Sequence, residues 1–159
     1  MTIEPGNGSG LQIHLPRLDG AKTPRAKAAA PLAPVPVRIL FVDDDPPVVE
    51  VAVTLLEHLG YLVTALTSSI EAWQVFRGDP QGFDLVITDL SMPLMSGLEL
   101  AAELVELRPD VPIILCSGDS DPISPETAQQ LGIREFLTKP ANIVELTKAI
   151  RRALDYEKQ

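Results

Sequence analysis

From Val37 onward the chain alternates between two kinds of segment. A short β-rich apolar run is followed by a longer run with apolar residues at helical spacing, and the pair recurs five times. The strand-like runs are 37–42 (VRILFV), 61–66 (YLVTAL), 83–90 (FDLVITDL), 111–118 (VPIILCSG) and 133–138 (IREFLT). The helix-like runs are 46–60, 68–78, 96–109, 124–132 and 142–156. Proline is tolerated in a first helical turn, and glycine ends helices, so Pro46, Pro47, Gly60 and Gly132 fit these bounds. Strands that alternate with helices pair in parallel, and apolar runs without a polar alternation are covered on both faces. Right-handed crossovers then produce a doubly wound α/β sandwich. Ligand sites in such folds lie at the carboxyl ends of the strands. That end collects Asp43, Asp44 and Asp45 after the first strand, Asp89 at the end of the third, Ser117 at the end of the fourth and Lys139 after the fifth.

Carboxylates crowded in one crevice repel unless a cation joins them. Magnesium suits Asp43, Asp44 and Asp89: it takes oxygen ligands, needs few protein carboxylates and keeps waters beside a phosphate oxygen. Lys139 adds a fixed positive charge and Ser117 a hydroxyl donor. A metal, an ammonium and a hydroxyl around one carboxylate equip a site for three phosphoryl oxygens, since phosphoryl transfer is mostly positioning and charge neutralisation. A carboxylate nucleophile that yields an acyl phosphate is established chemistry. Taken singly, each residue has a plainer reading. The acids suit a helix N-terminus, Ser117 a turn and Lys139 a surface. Their joint placement favours the site.

The charge is uneven. Residues 1–36 carry four bases against two acids, +2, and residues 37–159 carry nine bases against twenty acids, −11. An acidic body argues against nucleic-acid binding, which rests on phosphate neutralisation. No run reaches the length and apolarity of a membrane span, and the first ten residues lack a secretory pattern, so a cytoplasmic location is expected. The single Cys116 lies in an apolar run and reads as a buried structural thiol. His58 fits a helix C-terminus, and Trp73 and Met95 read as packing residues.

The segments RILFVDDDP, DLVITDLSMPLMSG, IILCSG and EFLTKP together resemble the receiver domain of two-component response regulators, over about 37–157. The resemblance implies a flavodoxin-like five-stranded parallel sheet of order 2-1-3-4-5. It makes Asp89 the phosphoacceptor, with Lys139 and Ser117 contacting the phosphoryl group. Asp44 becomes a direct Mg2+ ligand, Asp43 acts mainly through water, and the backbone carbonyl of Ser91 is a further ligand. It implies a cis Lys139–Pro140 bond, and a switch pair of Ser117 and Phe136. The family often has Tyr where this chain has Phe136, so the coupling of phosphorylation to output loses a hydroxyl contact. Asp119 stands where the family varies and bears on dephosphorylation. The implied partner is a histidine kinase or histidine phosphotransfer protein, with partner or dimer contacts through about 124–156. No nucleic-acid or membrane contact is expected, and enzyme activity of the receiver itself is limited to self-phosphorylation and self-dephosphorylation, with kinase activity left to a parent histidine kinase.

Residues 1–18 hold a second resemblance. Gly6, Gly8 and Ser9 followed by LQIHLP resemble the last turn and strand of a histidine-kinase ATP-binding domain. An Ala/Pro-rich linker, 19–36, joins this stretch to the receiver. The order is that of a hybrid sensor kinase, and no DNA-binding output segment is expected after the last helix. Two other functions compete. A docking receiver would ignore phosphorylation. A haloacid-dehalogenase-type phosphatase also places a D-x-D after its first strand, which Asp43 and Asp45 provide, but Pro47 falls where that family has Thr or Val.

Overall fold

The computed structural model describes residues 35–118 and 123–156. The stretches read as a kinase remnant and most of the linker, together with Asp119, lie outside the described residues. Ten elements alternate without exception: β1 (Arg38–Val42), α1 (Pro46–His58), β2 (Leu62–Leu66), α2 (Ser69–Gly78), β3 (Leu85–Asp89), α3 (Gly97–Leu107), β4 (Ile113–Ser117), α4 (Pro125–Gln130), β5 (Ile133–Thr138) and α5 (Ile143–Asp155). All strand pairs are parallel, in the order β2-β1-β3-β4-β5. This is the flavodoxin-like sheet that the resemblance implies.

The strand period of two sends alternate side chains to opposite faces, and both faces are buried. Leu40, Val42, Val86, Ile113 and Leu115 pack with Phe76 of α2 and Leu100 and Leu104 of α3. Ile39, Phe41, Leu85, Ile87 and Ile114 pack with Leu56 of α1 and Leu146 and Ile150 of α5. Each such large aliphatic or aromatic side chain contributes about 1.5–3 kcal/mol on burial. Trp73 and Met95 are partly buried against the first of these layers.

The two edge strands depart from the double-apolar expectation. β2 has no buried residue and β5 buries only Ile133 and Leu137. An edge strand is covered from one side only, so its outward positions stay wet.

Local chemistry sets the helix ends. The Ser68 hydroxyl accepts from Glu71 N–H and the Ser124 hydroxyl from Thr127 N–H. Ser96 with Glu99, and Asn142 with Glu145, form reciprocal capping boxes at α3 and α5, each satisfying two backbone donors otherwise left without partners. The Ser96 backbone and hydroxyl hold the Glu99 carboxyl below its ordinary range. Gly60 follows α1 at φ +91° and Gly132 follows α4 at φ +66°, left-handed positions that glycine adopts without strain.

Candidate functional site

The carboxyl ends of β1, β3 and β4 and the start of the β5–α5 loop meet at one point. Asp43 follows β1, where its N–H donates to Leu66 O (3.2 Å) and ties the end of β1 to β2. Asp89 is the last residue of β3. The Leu90 N–H donates to Cys116 O at 2.8 Å, and the Lys139 N–H donates to Ser117 O at 2.8 Å. The sheet ladder therefore continues past the strand ends and ties Lys139, beside the acids, to the Ser117 backbone at the end of β4. The Lys139–Pro140 bond is cis.

Two of the acids are almost wholly buried: Asp43 is 2% exposed and Asp89 is 7% exposed. Asp44 is exposed, yet one oxygen from each of Asp43, Asp44 and Asp89 lies within 4.8 Å of the others. The Lys139 Nζ bridges the buried pair, at 2.6 Å from Asp43 Oδ2 and 2.7 Å from Asp89 Oδ1. The remaining oxygens are also held. Asp43 Oδ1 accepts from Asp45 N–H (3.0 Å), and Asp89 Oδ2 accepts from Ser91 N–H (3.1 Å). Burial pushes the Lys139 ammonium down, but hydrogen bonds and charge from Asp43 and Asp89 outweigh it, and its net shift is upward. Lys139 is therefore charged throughout the neutral range.

Asp45 contributes its backbone but not its carboxylate. It is exposed and sits at the N-cap of α1 without a side-chain cap bond. The D-x-D pair of the phosphatase reading thus has its second acid outside the cluster. Cys116 is buried as read; burial, followed by the charges of Lys139 (lowering), Asp89 and Asp43 (raising), pushes its thiol to about 12. Phe136 faces outward on β5, 42% exposed.

Beside the acids, a cavity of about 620 Å³ opens between α1 and the β5–α5 junction. Its walls include Val48, Val51, Leu55, Leu137 and Leu146, and Asp43, Asp89 and Lys139 stand at its polar end. The strand-end residues were legible in the sequence, but this cavity and the double use of Lys139 were not. A β-rich run marks where a strand stops and says nothing of which side chain bridges to which.

Fold and site define an acidic pocket at the strand ends of a doubly wound parallel sheet. The family described as "Response regulator receiver domain" matches residues 39–151; the chain belongs to this family. It is 40% identical to the two-component response regulator ARR12 of Arabidopsis thaliana over 113 residues, 71% of this chain and 19% of that protein. It is 35% identical to the transcriptional regulatory protein GlrR of Escherichia coli K12 over 120 residues, 76% of this chain and 27% of that one. The chain thus spans about a fifth to a quarter of the length of these curated relatives. Among solved structures, a receiver domain protein from Clostridium thermocellum aligns with a TM-score of 0.72 at 31% identity, covering 77% of this chain and 97% of that one. The structure titled FixJ-N aligns with a TM-score of 0.66 at 32% identity, covering 76% and 94%.

Proposed function

We propose that this receiver domain accepts a phosphoryl group from a phosphohistidine onto Asp89 and thereby alters a partner-binding surface. The observation that carries the reading is the setting of Asp89. It is a buried carboxylate held between the Lys139 Nζ at 2.7 Å and the Ser91 N–H at 3.1 Å, with Asp43 and Asp44 beside it. A carboxylate oxygen of Asp89 attacks phosphorus, the P–N bond to the imidazole breaks, and its electron pair stays on the ring nitrogen. The product is an acyl phosphate. The transferred group carries its charge on oxygen, and pre-placed positive groups stabilise that charge most where water is excluded.

Lys139 supplies one such group, and its bridge to Asp89 keeps it where a phosphoryl oxygen would arrive. Ser117, at the end of the neighbouring strand β4, would supply a hydroxyl. The three-carboxylate cluster fits a divalent cation. Asp44 would be a direct ligand, Asp43 would act mainly through water, and Asp89 and the Ser91 carbonyl would complete the protein set. Bound Mg2+ would neutralise phosphoryl oxygens and offset the repulsion among the acids.

The donor is read as a histidine kinase or histidine phosphotransfer protein. The apolar cavity along α1 supports this reading, because it offers such a partner a surface to seat on beside Asp89. The outward Phe136, with Arg152 paired to Glu135 at 3.1 Å, belongs to the α4–β5–α5 face proposed for output or dimer contacts. A location in the cytoplasm is part of this proposal; among the described residues no helix is long and apolar enough to cross a membrane.

Intact mass after incubation with a small acyl phosphate tests the reading. The expected result is a magnesium-dependent gain of one phosphoryl group that Asp89→Asn abolishes. A gain of equal rate in Asp89→Asn would sink it. No gain in the wild-type chain, from either the small donor or a phosphorylated histidine protein, would favour a docking receiver instead.

A further inference from the structure

We infer that Gly97 is a positioning residue for the phosphoacceptor, acting through the backbone of Asp89; this rests on the reading of Asp89 given above. Gly97 opens α3, eight residues downstream of Asp89, and is buried. A β-carbon at Gly97 would lie 2.1 Å from the carbonyl oxygen of Asp89 and 2.9 Å from Leu115 Cδ1. The second contact is with the end of a side chain, which can turn away. The first is with main chain, which cannot. The carbonyl that would be struck belongs to the last residue of β3 and also accepts the Thr88 hydroxyl at 3.1 Å.

The Gly97 N–H donates to Leu90 O at 2.8 Å, which closes the loop from Leu90 to Gly97 directly onto the acceptor strand. α3 thus touches Asp89 backbone to backbone. A methyl group at this point must push α3 away from β3 or tilt the Asp89 peptide. Either movement shifts the carboxylate against the fixed Lys139 ammonium and the Ser91 N–H. Within the same loop, Leu94 is held at φ +70° with the Met95 N–H donating to Pro93 O (2.8 Å), so the loop has little slack to absorb the change.

Two consequences separate positioning from mere packing. Gly97→Ala should disturb the acceptor more than it disturbs stability. Making room at Leu115 should relieve the packing fault but leave the acceptor fault. Four chains are compared: wild type, Gly97→Ala, the double variant Gly97→Ala/Leu115→Val, and Gly132→Ala. The last is a control glycine far from the acids, whose added β-carbon would lie 2.8 Å from Val105 Cγ2 at φ +66°. Each is assayed at matched folded fraction, in an excluded osmolyte that favours the compact form. The readouts are the initial phosphorylation rate with a small acyl phosphate, the magnesium dissociation constant by calorimetry, and the urea midpoint.

The expected loss of rate in Gly97→Ala is about 100-fold, the scale of an ångström-level misplacement of a reacting group. Magnesium affinity should fall with it, since Asp89 is shared by both. The double variant should recover part of the urea midpoint and none of the rate. Gly132→Ala should lose stability and keep its rate. A Gly97→Ala chain with wild-type rate, or a double variant that regains the rate, would overturn the inference. Where the single variant does not fold, the double variant decides alone: slow, it supports positioning; wild-type in rate, it refutes it. A wild-type chain that takes no phosphate fails the acceptor reading, not this one.

Discussion

The two ends of the sheet carry the same residue types and differ in how their charges add up. At the amino ends of the strands, every acid described below meets its own base. Arg38 donates through Nε and Nη2 to the two oxygens of Asp84, at 3.1 and 3.0 Å, while its backbone N–H donates to Asp84 Oδ2 at 2.8 Å. Arg108, its side chain 11% exposed, reaches the carbonyls of Phe83 at 2.6 Å and Pro80 at 3.2 Å and pairs with Asp110 at 3.3 Å. Arg134 donates to Asp110 O and Ala153 O. At the carboxyl ends, Asp43, Asp44 and Asp89 cluster together, and the ammonium of Lys139 bridges only Asp43 and Asp89. One end is balanced and holds loops in place. The other keeps an excess of negative charge, which folding alone does not reward. An imbalance of this kind is what a cation and a phosphoryl group can complete.

The comparison breaks most sharply at Lys139. Lys139→Ala leaves two buried carboxylates facing each other without a positive neighbour. Removing one member of a buried pair is costly, and because Lys139 is 34% exposed, water softens the loss to about 2 kcal/mol. Urea unfolding in a chelator should show it. Magnesium should then restore more stability to Lys139→Ala than to wild type, because the ion becomes the sole positive charge there. The phosphorylation rate should still fall about 100-fold even with saturating magnesium, the cost of removing one placed donor from a charged transition state. Equal magnesium-induced stabilisation in the two chains would mean that the acids are not held together against repulsion.

How much of this contrast a reader of the sequence could foresee depends on what each feature leaves behind in the chain. The central strands were plain, because Ile39 to Val42 and Leu85 to Ile87 are apolar at successive positions and so must be covered on both faces. The edge strands were less plain: β5 mixes Arg134 and Glu135 into its run, and β2 looks as apolar as the centre yet stays wet. Asp43, Asp89, Ser117 and Lys139 were foreseeable as neighbours because each stands at a strand end. Their bonds were not. The Lys139–Asp43 contact joins residues 96 apart, and nothing local records it. Asp45 looked equal to Asp44 in the triplet, but it is the exposed N-cap of α1 and stands outside the carboxylate cluster. Gly97 closes the segment DLVITDLSMPLMSG that carried the resemblance, but nothing in the sequence showed that its missing side chain makes room for the Asp89 carbonyl.

At the balanced end the expected effect is smaller and depends on pH. Burial raises the Asp84 carboxyl, but the Arg38 side chain and backbone hydrogen bonds, with the charges of Arg38 and Arg108, outweigh it and depress it below 3.8. A carboxyl lowered in the folded state adds stability above its unfolded pKa, and that stability is lost as pH falls through the folded value. Asp84→Asn should therefore cost about 1 kcal/mol at neutral pH, a partly exposed pair being worth no more. The gap between variant and wild type should hold constant down to about pH 5 and close only in stronger acid. Midpoints in urea across pH would show it, and a gap that closed near pH 6 would point to a different titrating group.

Cys116 offers the finest comparison, because its thiol lies under the unbalanced end without taking part in it. Burial, with the Asp89 and Asp43 charges added and the Lys139 charge subtracted, pushes it to about 12. A cysteine at the ordinary value of 9.0 would hold about a thousand times more thiolate at neutral pH. Alkylation of the folded chain should therefore be slower than that of a small thiol by about three orders of magnitude. Lys139→Ala removes the one nearby charge that lowers the thiol, so at matched folded fraction it should slow alkylation further rather than speed it. Faster alkylation in that variant, with no change in urea midpoint, would show that Lys139 shields the thiol by covering it, not by its charge. The contrast between the two ends would then be one of packing more than of electrostatics.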